Sequence, residues 1–262
     1  MEMLRAKSSY IIGVLIIVLA VAARADGKDT QFQAHRIAHA GGGLGKSTYT
    51  NSYQALAANI EKGFKYFEID FTFTSDNRLV CLHDWNSNFK RTFGFETKQR
   101  LSLEEFESLA KDNKKFTNCT LDGLAEWMRK NPTAYIVTDV KDDNLIALRQ
   151  IHEVLPDADR RVIPQIYEPE NFESVNNMGF RQIIWTLYRY PESGYYVIRW
   201  VEQWEAAIAV TMPRDRAGSA LPNALAERGI LTYVHTINKA GEMDRFMTEF
   251  GVTEIYTDFL VP

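Results

Sequence analysis

Glu68 and Asp70 stand two residues apart in an apolar, β-rich run, 66–72. In a strand, positions i and i+2 face the same way, so both carboxylates point into one volume. The chain then turns through Ser75, Asp76, Asn77 and Arg78 and returns as Leu79 to Asp84. A hairpin that closes Thr74 on Leu79 places His83 opposite Asp70. Asp139 and Lys141 repeat the two-residue spacing at the end of a later strand-like run, and His39 stands near the end of the first one. Three carboxylates on strand ends are a donor set for one hard divalent cation, Ca²⁺ or Mg²⁺, which selects oxygen. Two imidazoles beside them suit proton delivery and removal within one turnover. Lys141 is a fixed cation suited to a phosphoryl oxygen; its simpler role is an ion pair with Asp139. No cysteine and histidine ligands cluster in the way structural zinc requires.

Other candidates carry less. His235 ends a strand-like run and is placed to line the same pocket. His35 and His152 read as surface residues, and Asp84, facing away from His83, as a hairpin or loop anchor. The stretch Ala40 to Ser47 comes close to a nucleotide-binding P-loop, but its first glycine is Ala40 and residues 47–50 are a poor helix start. Its glycines read instead as a flexible loop that brings backbone N–H groups and Lys46 toward an anion.

Elements must position these residues. Strand-like segments cover 36–40, 66–72, 134–141, 162–167, 182–188, 206–212, 231–237 and 254–259. Helical patterns lie between them at 52–62, 103–111, 121–130, 144–154, 169–178, 195–203, 217–228 and 240–250. The return segment 79–84 follows too short a turn for a parallel crossover, so it is an antiparallel extra. Eight alternating strand–helix units predict a closed (β/α)8 TIM barrel with a β-hairpin return after strand 2. His39, Glu68, Asp70, Asp139, Lys141, His235 and Asp258 then gather at the carboxyl ends of the strands, where such barrels place their chemistry.

The bulk composition narrows the partners. A net charge of −4 over 262 residues gives no electrostatic case for nucleic acid. Arg5 and Lys7 precede an apolar run, Ile11 to Ala23, too short to span a bilayer. With small-x-small cleavage sites at 20–22 and 23–25, residues 1–25 read as a signal peptide cut before Asp26. Residues 26–262 then form a single exported domain, periplasmic or secreted, and an uncleaved segment would leave it anchored at a membrane. Cys81 and Cys119 could pair in such a compartment. Their spacing matches no known framework, and two separate buried thiols are expected.

The order and spacing of these residues resemble the glycerophosphodiester phosphodiesterase family, within the phosphatidylinositol phospholipase C-like barrels. The resemblance rests on His39-Ala40-Gly41, Thr50-Asn51-Ser52, Glu68-Ile69-Asp70, Thr74-Ser75-Asp76-Asn77, Val80 to Asp84, Asp139-Val140-Lys141 and Tyr256-Thr257-Asp258. It implies cleavage of a small-molecule or lipid-derived phosphodiester with one divalent cation on Glu68, Asp70 and Asp139. It also implies His39 and His83 as acid and base and Lys141 on the phosphate. Alternatives are a phospholipase-type enzyme that releases a cyclic phosphate and a non-catalytic ligand-binding barrel. Three positions depart from the family pattern: Ala40 stands for an arginine, Thr50 for a glutamate, and Asp139 for the usual glutamate. Lys46 is the residue expected to restore the missing positive charge.

Overall fold

Each strand alternates residues that face the barrel axis with residues that face the helices. In a computed structural model, which describes residues 33–113 and 115–262, the strands are β1 (Ile37–Ala38), β2 (Tyr66–Phe73), β3 (Leu79–Cys81), β4 (Tyr135–Val140), β5 (Val162–Ile166), β6 (Gln182–Thr186), β7 (Ala207–Pro213), β8 (Leu231–His235) and β9 (Glu254–Thr257). All but β3 are parallel and close in the order β1-β2-β4-β5-β6-β7-β8-β9, with β9 returning to β1 through Ile37↔Tyr256. The expected (β/α)8 barrel is therefore present. Helices named below are α1 (Tyr53–Glu61), α2 (Ser87–Phe93), α3 (Leu103–Asp112) and α4 (Leu121–Lys130). The segment 1–25 lies outside the described residues. Among the described residues no helix is long and apolar enough to cross a membrane.

Facing inward, Ile37, Tyr66, Val137, Ile163, Ile184, Ala209, Tyr233 and Tyr256 form a buried floor. Facing outward, Phe67, Ile69, Ile136, Ile166 and Trp185 pack against the helix layer. Fully burying a side chain such as Phe67 or Ile69 contributes about 1.5–3 kcal/mol. Two residues beyond the floor, in the same inward phase, come His39, Glu68, Asp139, Gln165, Thr186, Thr211, His235 and Asp258. The barrel interior thus changes from apolar to polar in one step toward the carboxyl ends of its strands.

Local chemistry moves several boundaries. The first strand stops at Ala38 because His39 to Gly41 form a tight turn in which Ala40 is left-handed, φ 48°. The helical pattern 169–178 is a turn, Pro169–Asn171, running into Phe172–Asn176, and 217–228 is split into Arg214–Ala217 and Leu221–Ala226. The expected hairpin register is off by one residue: Phe73, not Thr74, faces Leu79. Thr74 is instead held to Arg78, whose carbonyl accepts from the Thr74 N–H at 2.8 Å and whose N–H donates to Thr74 Oγ1 at 2.9 Å. Asn77, left-handed at φ 57°, absorbs the extra loop residue. The ladder ends at Cys81, so His83 is not paired with Asp70 and reaches the site through the bend that follows.

The cysteines correct a second expectation. Cys81 and Cys119 form a disulfide, and no described cysteine is free. The segment before α4 runs antiparallel to β3, with Val80 bridged to Thr120 and the Cys81 N–H donating to the Cys119 carbonyl at 2.8 Å. This pairing sets the two α-carbons 5.0 Å apart, within the range a disulfide needs.

Candidate active site

A cleft of about 320 Å³ opens at the carboxyl ends of the strands. It is lined by His39, Glu68, Asp70, His83, Asp139, Lys141 and His235, so seven of the residues singled out in the sequence meet there. Tyr49, Gln165, Tyr188 and Arg189 complete much of the wall.

The carboxylates form its base. One ligand oxygen from each of Glu68, Asp70 and Asp139 lies within 4.8 Å of the others. Glu68 is buried; its Oε2 accepts from the Ala40 N–H at 2.7 Å, while Oε1 has no hydrogen-bond partner. Burial and then the Asp70 charge push its pKa up to about 8. Asp70 is also buried, which by itself would raise its pKa, but Lys141, His83, His39 and Asn51 outweigh this and hold it below the ordinary aspartate value. Asn51 grips Asp70 twice, through Nδ2 to Oδ2 at 2.8 Å and by accepting the Asp70 N–H at 3.0 Å. It does so from a left-handed backbone, φ 45°, a conformation asparagine tolerates better than most residues. Tyr167 donates its hydroxyl to Asp139 Oδ1. Lys141 bridges Asp139 Oδ2 at 2.7 Å and Asp70 Oδ1 at 3.0 Å. Burial would depress the ammonium, but these two acids raise its pKa above the usual lysine value. An orphaned buried oxygen within three oxygen donors, with no sulfur or imidazole in the set, fits a hard divalent cation.

Both histidines are oriented through Nδ1. His39 contacts Asp258 Oδ1 at 2.9 Å, and Asp258 is itself fixed by Asn238, which donates Nδ2–H to Oδ2 at 2.7 Å. Burial disfavours the charged ring, yet the Asp258 bond and the nearby carboxylates raise its pKa to about 9. His83 contacts Asp84 Oδ2 at 2.9 Å. Asp84 also accepts the N–H groups of Asn86 and Asn88, so it anchors the loop, as expected, and holds His83 as well. With Nδ1 engaged in each ring, Nε2 is the atom left to face the cleft. Tyr49 stands edge-on to both rings, with centroids 4.3 Å from His39 and 5.5 Å from His83. His235 shares its Nδ1 with Thr211 Oγ1 at 2.9 Å; burial, then the charge on His39, lowers its pKa to about 4 and keeps it neutral.

Several sequence expectations end elsewhere. Lys46 does not line the cleft: it is exposed at the tip of a tight turn in which Leu44 and Ser47 exchange backbone hydrogen bonds. The glycine loop is pinned, since the Asn59 amide donates to the carbonyls of Gly41 and Gly43 and the Gly43 N–H donates to the Asp258 carbonyl. No helix opens after Lys46, because α1 starts only at Tyr53, and the P-loop likeness falls away. His35 is half-buried and stacked on Tyr66, and His152 packs edge-on against Phe180. Tyr49 and Tyr167 had no assigned role in the sequence, and no local pattern reveals one; Asn51 stood in the Thr50-Asn51-Ser52 motif, with nothing to tie it to Asp70. Asp258 had a signal, the inward phase it shares with Tyr256.

Among curated proteins none matches the chain. Solved structures similar to it include a glycerophosphodiester phosphodiesterase from Thermotoga maritima, with a TM-score of 0.66 and 18% identity over 87% of this chain and 96% of that one. One from Parabacteroides distasonis gives 0.64 and 19%, over 85% and 91%. A phosphodiesterase from Oleispira antarctica, solved with the product sn-glycerol-3-phosphate, gives 0.68 and 14%, over 86% and 93%. The model of the glycerophosphoryl diester phosphodiesterase family matches residues 42–261. The chain therefore belongs to that family, whose members are phosphoric diester hydrolases.

Proposed function

We propose that this protein is an exported hydrolase of glycerophosphodiesters or closely related phosphodiesters, dependent on one divalent cation, with His39 and His83 as its acid–base pair. The observation that carries the reading is the pairing of each imidazole Nδ1 with an aspartate, Asp258 or Asp84, in one cleft with the three-carboxylate cluster.

Glu68, Asp70 and Asp139 would hold the cation, and the oxygen-only donor set favours Ca²⁺ or Mg²⁺. When bound, such an ion supplies positive charge for the phosphoryl oxygens. Lys141, held between Asp70 and Asp139, offers its one remaining N–H donor to a non-bridging phosphate oxygen. One imidazole removes the proton from the attacking hydroxyl while the other protonates the departing alcohol oxygen. Asp84 and Asp258 keep each Nε2 directed into the cleft throughout. Where the glycerol carries a vicinal hydroxyl, that oxygen is the first nucleophile: the new P–O bond forms as the alcohol leaves, and water then opens the cyclic phosphate.

Turnover of bis(p-nitrophenyl) phosphate and glycerophosphocholine with Ca²⁺ or Mg²⁺, with and without chelator, tests the reading. His39→Ala and His83→Ala should each lower kcat by about 10²–10⁴-fold. Full turnover in either variant removes that histidine from the mechanism, and full turnover in chelator removes the cation. The buried disulfide supports export, because such bonds persist in oxidising compartments. Cell fractionation with an intact mass of the recovered protein checks both location and cleavage before Asp26.

A further inference from the structure

Tyr49 also lines a second hollow, of about 360 Å³, whose lining includes no histidine. Its charged lining residues are Lys46, Arg91 and Lys115, and no acidic residue lines it. Ser47, Thr48 and Thr92 add hydroxyls. None of the three cations has an ion-pair partner among the described residues. Two of them lie over neutral rings: Arg91 over Tyr49 at 5.3 Å and Lys115 over Phe116 at 4.8 Å. Aromatic faces orient such cations without cancelling their charge.

This concentration of unpaired positive charge stands out on a chain of net charge −4. The catalytic cleft holds fewer such groups: Lys141 is already engaged by two carboxylates, and Arg189, over the Tyr167 and Tyr188 rings, is its one other lysine or arginine. Tyr49 lines both cavities and is their shared wall. The groove exists because the turn after the glycine run carries Lys46 outward, away from the cleft, to face Arg91 at the end of α2 and Lys115 just after α3. Three cations with interleaved hydroxyls are the donor set that recognises a phosphate oxyanion.

We propose that this groove binds a second phosphate of the substrate, so that the protein prefers phosphodiesters whose alcohol carries a phosphate monoester beyond the scissile group. The inference rests on the hydrolytic reading of the neighbouring cleft, and it names the class of substrate that cleft receives. It also gives a role to Lys46, which does not line the catalytic cleft.

The test compares glycerophosphoinositol with glycerophosphoinositol 4-phosphate, which differ only in the added phosphate. At low ionic strength, where the screening length exceeds about 10 Å, the wild type should favour the phosphorylated compound by about tenfold in kcat/KM, mostly through KM. In the Lys46→Ala/Lys115→Ala variant that ratio should fall to within about twofold of unity, and 0.5 M salt should have the same effect on the wild type. Both lysines are exposed, so the variant is expected to fold, which its melting curve checks. A wild-type ratio near one, or a ratio that the variant leaves unchanged, overturns the proposal. If neither compound is hydrolysed, the hydrolytic reading has failed instead. The groove is then judged by calorimetric Kd values for the same two compounds, where an affinity gain from the added phosphate that disappears in the variant supports it. Equal values for the two compounds overturn it.

Discussion

Reducing the Cys81–Cys119 bond should cost the fold about 4 kcal/mol. The bond closes a loop with a sequence separation of 38, and the chain-entropy relation gives that loop about −13 cal/mol/K, or about 4 kcal/mol at 25 °C. The native contacts around it argue that little of this is lost to rearrangement. Both cysteines are fully buried, the Cys81 N–H donates to the Cys119 carbonyl at 2.8 Å, and the Asn118 amide ties the Thr50 and Cys81 carbonyls together at 2.9 Å each. The same segment reaches the site, because the Cys119 N–H donates to the carbonyl of Asn51, the residue that grips Asp70. With an m-value of about 3 kcal/mol/M, the urea midpoint should drop by about 1.3 M. The assay is urea unfolding followed by near-UV circular dichroism, on oxidised protein, on protein in dithiothreitol and on the Cys81→Ala/Cys119→Ala variant. The last two should agree, since each opens the same loop. A midpoint that moves by less than about 0.3 M in both would refute the reasoning, and so would two reactive thiols in the native, unreduced protein.

Asn51→Ala removes both hydrogen bonds to Asp70 and puts alanine at φ 45°. It should cost about 1–3 kcal/mol for the unpaired buried groups and about 1–2 kcal/mol for the backbone, read as a lower Tm together with weaker cation affinity. Saturating Ca²⁺ or Mg²⁺, at about 100 times Kd, should stabilise the wild type by about 2.7 kcal/mol; a melting point equal in cation and in chelator would contradict the carboxylate site. Asp142 is partly buried, which alone would raise its pKa. Arg100 at 2.6 and 2.9 Å, the Phe73 N–H and Thr72 Oγ1 hold it below the ordinary value. A depressed carboxylate contributes stability above its unfolded pKa and loses it as pH falls through the folded one. The stability gap between wild type and Asp142→Asn should therefore be flat above about pH 5 and shrink below about pH 4; a gap that grows on acidification would reverse the assignment.

Much of the cleft was legible because strand periodicity is a local property. Once 66–72 is a strand, Glu68 and Asp70 must share a face, and Asp139 and Lys141 follow from the same rule in 134–141. The eight-unit alternation then sends those faces to one axis. His83 was placed correctly by an incorrect register. Thr74 makes its hydrogen bonds to Arg78 rather than Leu79, an outcome settled by side-chain hydroxyl chemistry in the turn. The disulfide went the other way, because the partner of Cys81 lies beyond α3 and only the bridge between Val80 and Thr120 brings it close.

The sequence alone determined the barrel, the inward phase of its strands and the identity of the groups that could do chemistry, since each depends on residue type and short-range spacing. Tertiary structure decided which partners tune those groups. Asp258 reaches His39 only because β9 closes against β1. Asn51 holds Asp70, and Tyr49 touches both histidines, only because left-handed residues bend the loop after β1 back over the barrel. It also decided that Lys46 turns away from the cleft. These contacts depend on where distant chain segments meet, and closure of the barrel is the event that brings them together.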